Sequence, residues 1–145
     1  MPNSYHANYQ HIIFAVKNHT KVLVSMREEI HKYITGIVRG GKYPRRLIAI
    51  GGPEDHIHLL ISAHPAESMA DLIRRIKVSS SLFINQPPRR YGHFSWQDGY
   101  RLFSVSPSQV QSVVDYIHNQ IEHHRQRTLT EEFYLTPTEW HLPVL

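Results

Sequence analysis

Cysteine is absent from all 145 residues, which excludes disulfides, thiolate nucleophiles and Cys-ligated zinc or iron-sulfur sites in one step. No apolar run approaches the roughly 18–20 residues that a membrane span needs. The start Met1-Pro2-Asn3-Ser4-Tyr5-His6 also lacks the charged-then-apolar pattern of a signal peptide, so a cytoplasmic protein without a membrane partner is expected. Internal repeats, low-complexity tracts and linkers are missing too, which leaves one domain over 1–145, with a core of about 5–127 and a tail of 128–145. Charge is sparse: 16 Lys+Arg against 12 Asp+Glu give +4, an excess that draws polyanions only where it is clustered. Histidine, at 12 residues, is what the chain has in abundance, and an imidazole serves as metal ligand, acid-base group or phosphate contact.

Alternation over Tyr5–Lys17 predicts a strand with Ile12, Phe14 and Val16 on one face and His11, Ile13 and Ala15 on the other. A helix is expected from an N-cap at Ser25, with Glu28 in capping-box spacing, through Val38 to the stop at Gly40-Gly41. Arg46–Ile50 and His56–Ala63 read as a hairpin about the breaker Gly51-Gly52-Pro53, and Ser68 as the cap of a second helix running toward Leu82. Phe94–Val105 reads as extended chain around a turn at Asp98-Gly99, either a strand pair or one strand with a bulge. Ser106 or Ser108, with Pro107 in the first turn, opens a long helix to about Arg127, apolar at Val110, Val113, Val114, Ile117 and Ile121. The order predicts an α+β fold, a split βαβ (ferredoxin-like) sandwich. Its sheet is mainly antiparallel with helices on one face, and a C-terminal helix is appended.

His56-Ile57-His58 puts two imidazoles on one face of a strand, about 6.6–6.8 Å apart along the chain, where they can converge on one ion. Ile57, Leu59, Ile61 and Ala63 on the opposite face supply the core contact. On the last helix, Tyr116, Gln120, His123 and Arg127 follow one another on a stripe beside the apolar one. Taken singly, the first motif also fits a solvated strand face and the second an amphipathic helix edge. Together, His56, His58 and the Gln120 amide oxygen form a mixed N and O set with too few ligands to close a coordination sphere, as a catalytic metal requires. Such a set carries no negative charge, so an anionic phosphate would complete it, with Mg2+ or Mn2+ as the ion. Tyr116, one turn from Gln120, is then placed to attack a phosphorus and form a phosphotyrosine ester, and a phenolate is a tolerable leaving group when another hydroxyl resolves the ester.

The residues carrying this chemistry stand in a recognisable order. His56-Ile57-His58-Leu59-Leu60 is followed by Trp96-Gln97-Asp98-Gly99-Tyr100 with Phe103-Ser104-Val105-Ser106, and then by Tyr116-Ile117-His118-Asn119-Gln120-Ile121-Glu122-His123-His124. With the opening Tyr9-Gln10-His11-Ile12-Ile13-Phe14, the chain from about Tyr5 to Tyr134 resembles the single-tyrosine, TnpA-like transposases of the HUH endonuclease superfamily, REP-associated relatives included. Arg101 departs from the pattern, which has a small residue, often Gly, at that place. The resemblance implies a DNA transposase that cuts and rejoins single-stranded DNA with subterminal hairpins. It also implies Tyr116 as the nucleophile, His56, His58 and Gln120 as ligands of the divalent metal, and a homodimer in which the tyrosine helix of one subunit completes the site of the other.

Other residues are open to two readings. Arg74, Arg75, Lys77, Arg89 and Arg90 are candidates for phosphate contact, or form a solvated basic face. Trp96 and Tyr100 could stack on bases, but aromatics on a hairpin more often serve the core or a dimer interface, and the interface is the reading favoured here. Glu54 and Asp55 could help to position the histidines or the metal, and His123-His124 could orient Gln120, contact DNA or end the helix favourably at its C-terminal dipole. The rival functions are a domesticated relative or a non-catalytic protein that binds single-stranded DNA hairpins, and a histidine-rich metal module, which would hold metal tightly without DNA.

Overall fold

The computed structural model describes residues 5–17, 22–43, 45–87 and 92–119. The first alternating run forms β1 (Tyr9–Ala15), beginning later than the pattern from Tyr5 suggests. The hairpin forms as β2 (Arg46–Gly51) and β3 (His56–Ser62). Gly52 between them has φ 144°, and a Cβ there would run into the His56 carbonyl oxygen, so the turn that delivers His56 needs glycine. Arg101–Val105 is β4. The strands form one four-stranded sheet in the order β2-β3-β1-β4 with every pair antiparallel, which is the expected α+β split βαβ arrangement.

Two helices cover one face of this sheet, α2 (Arg27–Arg39) and α3 (Met69–Ile84), with a single turn, α1 (Val22–Ser25), before them. Ser68 caps α3 as expected, its Oγ accepting from Asp71 N at 3.2 Å. Ser25 does not cap α2. The chain reaches that point already helical, the cap position falls at Met26, and no side chain bonds the first amides. Ile30, Ile34 and Val38 of α2 and Leu72, Ile73, Ile76 and Ile84 of α3 bury themselves against Ile12, Phe14 and Val16 of the first strand segment and Ile57, Leu59 and Ile61 of β3. The apolar face of β3 is therefore where the sequence puts it.

The other face is not left to solvent. A 3-10 turn at Pro107–Gln109, opened by Ser106, leads into α4 (Val110–His118), whose Val113 and Ile117 pack on Ala49, Leu60 and Val105. The appended C-terminal helix thus covers the second face of the sheet. All of β3 except Ser62 is buried. The stretch after Asn119 that the sequence reads as helix, with Gln120, Ile121, His123, His124 and Arg127, lies outside the described residues, as do Arg89, Arg90 and the tail.

The aromatic segment before β4 is one strand with a short extended lead-in, not a strand pair. Gln97 N donates to Ala15 O at 2.7 Å and Lys17 N to Ser95 O at 3.0 Å, and the turn at Gly99 has φ 87°. Trp96 belongs to the core: its ring is edge-on to Phe14 and Phe94 at 4.7 and 4.9 Å, and its Nε1 donates to Ser80 Oγ at 2.9 Å. Tyr100 remains exposed. Lys77, a candidate phosphate contact, instead donates to Gln97 O at 2.8 Å and Gly99 O at 2.9 Å. It ties this segment to α3, and desolvation holds its pKa below the usual lysine value against the opposing pull of Asp98.

Candidate active site

Alternation along β3 turns Ile57, Leu59 and Ile61 into the main core and His56, His58 and Leu60 toward α4. Both imidazoles are completely buried, with ring centres 5.0 Å apart. His56 Nδ1 lies 2.9 Å from Asp55 Oδ1. Because a carboxylate accepts, this contact fixes the proton on Nδ1 and leaves the lone pair on Nε2, the arrangement that metal-bound histidines commonly show. Asp55, one of the two loop acids that the sequence offers as positioning groups, is thereby the partner of His56.

Tyr116 is brought to this pair. Its ring stands 5.7 Å from that of His58, at 68° to it, and 6.2 Å from that of His11. A close approach of α4 to β2 sets the position. Gly51 is the register partner of His58, and a Cβ on Gly51 would meet the Ile117 carbonyl oxygen at 2.8 Å and its Cγ2 at 3.0 Å. The missing side chain lets the helix lie almost on the sheet at the level of His58, and the residue before Ile117 is Tyr116. The structure therefore brings His56, His58 and Tyr116 together within one chain, while Gln120 lies outside the described residues.

Sequence reasoning missed His11. It is fully buried, and its Nε2 lies 2.9 Å from His58 Nδ1. The alternation of β1 does put His11 on the face opposite the main core, but its contact with His58 depends on the β1–β3 register, in which His11 faces Leu60 and Ile13 faces His58. The same register logic places Arg101 of β4 opposite Ile13, so its half-buried side chain starts on the face that carries His58.

The donor set fits a divalent ion with open positions. An ion about 2.1 Å from two imidazole nitrogens sets the ring centres roughly 4.6–5.3 Å apart when the angle at the ion is about 90–110°. The observed 5.0 Å falls in that range. Among the described residues no group of three or more histidines and carboxylates is arranged to hold a metal. Nor, among those residues, is any helix long and apolar enough to cross a membrane.

Known proteins agree with this architecture. Residues 4–120 match the family model described as "Transposase IS200 like". The ISDra2 transposase TnpA of Deinococcus radiodurans is 28% identical over 117 residues, covering 76% of this chain and 81% of that protein. A crystal structure of a protein described as a transposase from the same organism superposes with a TM-score of 0.60 at 24% identity, over 83% of this chain and 95% of the other. A REP-associated tyrosine transposase bound to a REP hairpin superposes with a TM-score of 0.64 at 15% identity, over 86% and 73%. With a fold shared by both structures and a family match across most of its length, the chain belongs to the IS200-like transposase family.

Proposed function

We propose that this transposase cuts and rejoins single-stranded DNA through a covalent 5′-phosphotyrosine on Tyr116, with a divalent ion, Mg2+ or Mn2+, held by His56, His58 and Gln120. The observation that carries the reading is the edge of Tyr116 against His58 beside the buried His56–His58 pair. The Tyr116 hydroxyl oxygen attacks the phosphorus, the P–O3′ bond breaks, the phenolic proton passes to solvent, and the departing oxygen takes a proton to become a 3′-hydroxyl. In the return step a 3′-hydroxyl attacks the same phosphorus and the phenol leaves, so the ester conserves the energy of the broken bond and no ATP is consumed. The ion, when bound, polarises the phosphoryl oxygens and neutralises charge on them. His56 and His58 hold it from a strand buried on both faces, Asp55 orients His56, and Arg101 adds positive charge on the same face of the sheet.

Hairpin-bearing single-stranded DNA is the proposed substrate, supported by the hairpin bound to the REP-associated neighbour. Assembly as a homodimer belongs to the same proposal, because packing α4 of one copy on the sheet of another would create the same Tyr116–His58 juxtaposition. The test is a denaturing gel for a covalent adduct between the protein and labelled single-stranded hairpins from the flanks of its gene, with Mn2+ or chelator. A metal-dependent adduct is expected, lost in Tyr116→Phe. Hairpin binding without an adduct under any divalent ion would establish the alternative, a non-catalytic or domesticated DNA-binding relative. Mixing Tyr116→Phe with His58→Ala protein restores cleavage only if sites are shared between subunits.

A further inference from the structure

The metal reading uses His56 and His58 and leaves the third buried imidazole on this face without a task. His11 belongs to β1, 47 positions before His58, and the two are diagonal neighbours across the antiparallel pair. Their rings are 5.1 Å apart and inclined by 34°, with Nε2 of one 2.9 Å from Nδ1 of the other. On its other side His11 stands nearly perpendicular to the Tyr116 ring, 6.2 Å between centres. It thus touches both the proposed metal ligand and the proposed nucleophile.

We infer that His11 is a positioning residue which, through its Nε2, holds His58 with the proton on Nδ1 and the Nε2 lone pair aimed at the ion. The inference rests on the metal reading above. Hydrogen bonding fixes the direction: a nitrogen that ligates a cation carries no proton, so the other ring nitrogen of His58 must donate, and His11 Nε2 must accept. The two metal histidines are then oriented by different partners, His56 by the Asp55 carboxylate and His58 by a neutral imidazole. Outer partners of this kind commonly change metal affinity by about 10–100-fold when lost. A replacement that fills the space without accepting should fail, and one that accepts at the same reach should succeed.

The experiment compares wild type, His11→Phe and His11→Gln, measuring uptake of Mn2+ alone by the full chain by calorimetry, with thermal unfolding followed in parallel. Expected is a Kd for Mn2+ about 10–100-fold weaker in His11→Phe and within about 3-fold of wild type in His11→Gln, whose side-chain oxygen reaches where Nε2 lies. Folded His11→Phe that binds Mn2+ like wild type overturns the inference, and so does His11→Gln as weak as His11→Phe. Should His11→Phe not fold, 15N NMR of the wild-type imidazoles decides. The Nδ1–H form of His58 is expected, and the Nε2–H form overturns the inference. Wild type that takes up no Mn2+ overturns the metal reading itself, and the NMR measurement separates that failure from failure of the His11 contact.

Discussion

Replacing Gly51 by alanine should slow DNA cleavage without touching any group that takes part in it. Gly51 has no positive φ, so alanine meets no backbone strain there, and the whole effect comes from what the new methyl touches. The Cβ would lie 2.8 Å from the Ile117 carbonyl oxygen, where ordinary contact begins at 3.4 Å, so α4 must retreat by about 0.6 Å. A misplacement of about 1 Å can cost roughly 100-fold in rate, so about a tenfold slower single-turnover cleavage is expected, with about 1–3 kcal/mol of stability lost to overpacking. The nearest atom is backbone, so trimming the side chain cannot relieve it: Gly51→Ala/Ile117→Ala should be no faster than Gly51→Ala alone. Mn2+ affinity should change less than rate, because two of the three proposed ligands, His56 and His58, stay on β3. Amide exchange along α4 provides a readout independent of activity, and it should rise. Wild-type cleavage together with unchanged exchange in folded Gly51→Ala would show that the β2–α4 approach does not position Tyr116.

Other perturbations probe other contacts. Asp55→Ala removes the carboxylate that accepts from His56 Nδ1 at 2.9 Å and should weaken Mn2+ binding by about 10–100-fold in calorimetry, with little change in thermal midpoint. Glu67→Ala leaves Arg45, whose side chain is buried and bonded to Glu67, Val38 O and Gly40 O, without its counter-charge, and chemical denaturation should show a loss of about 3–5 kcal/mol. Ser80→Ala deprives the buried Trp96 Nε1 of its acceptor and should cost about 1–3 kcal/mol, read from the tryptophan fluorescence transition. His31 has its pKa lowered from 6.5 to about 4, by desolvation first and by Arg27 second. The unfolded chain therefore binds the extra proton, so stability is complete above pH 6.5 and falls as the pH drops toward 4. The imidazole is partly solvated, which limits the effect to about 1–2 kcal/mol, and His31→Gln should flatten the midpoint against pH over that window.

Features that depend on near neighbours were legible in the sequence. Alternation at Ile12, Phe14 and Val16 and at Ile57, Leu59 and Ile61 reports one buried face, and Ser68 followed by Asp71 reports a helix start, because each signal lies within one element. The pair His56 and His58 was visible for the same reason, as two residues on one side of a pleat. Features that depend on how elements meet were not. His11 reaches His58 only through a register set 47 positions apart, and the close approach of α4 to the sheet depends on Gly51, whose contact with Ile117 has no signature in a single chain. Lys77 shows the same limit from the charge side. A lysine on a basic helix reads as a phosphate contact, yet two backbone carbonyls of a distant turn occupy its ammonium group. Ser25 failed as a cap because a local signal lost to the helical turn already preceding it.

The two faces of the sheet divide the work unequally, and the division suits reversible strand transfer. One face carries the main core, to which α2, α3 and all four strands contribute. The other holds α4 through a small cluster of Ala49, Leu60, Val105, Val113 and Ile117. Opening free energies scale with the apolar surface an element buries, so lifting α4 costs less than unfolding the sheet. His56 and His58 sit on β3, the strand buried from both sides, whereas Tyr116 sits on α4, whose described residues pack on the smaller cluster. In the proposed chemistry one DNA end must leave the neighbourhood of the phosphotyrosine before another 3′-hydroxyl arrives. A nucleophile on a separable helix can withdraw with its attached strand while His56 and His58 keep their places on β3, and it can return to the same sheet or to that of another copy. A tyrosine on β1 or β3 would have the same chemistry available but no way to part from the ion without unfolding the core.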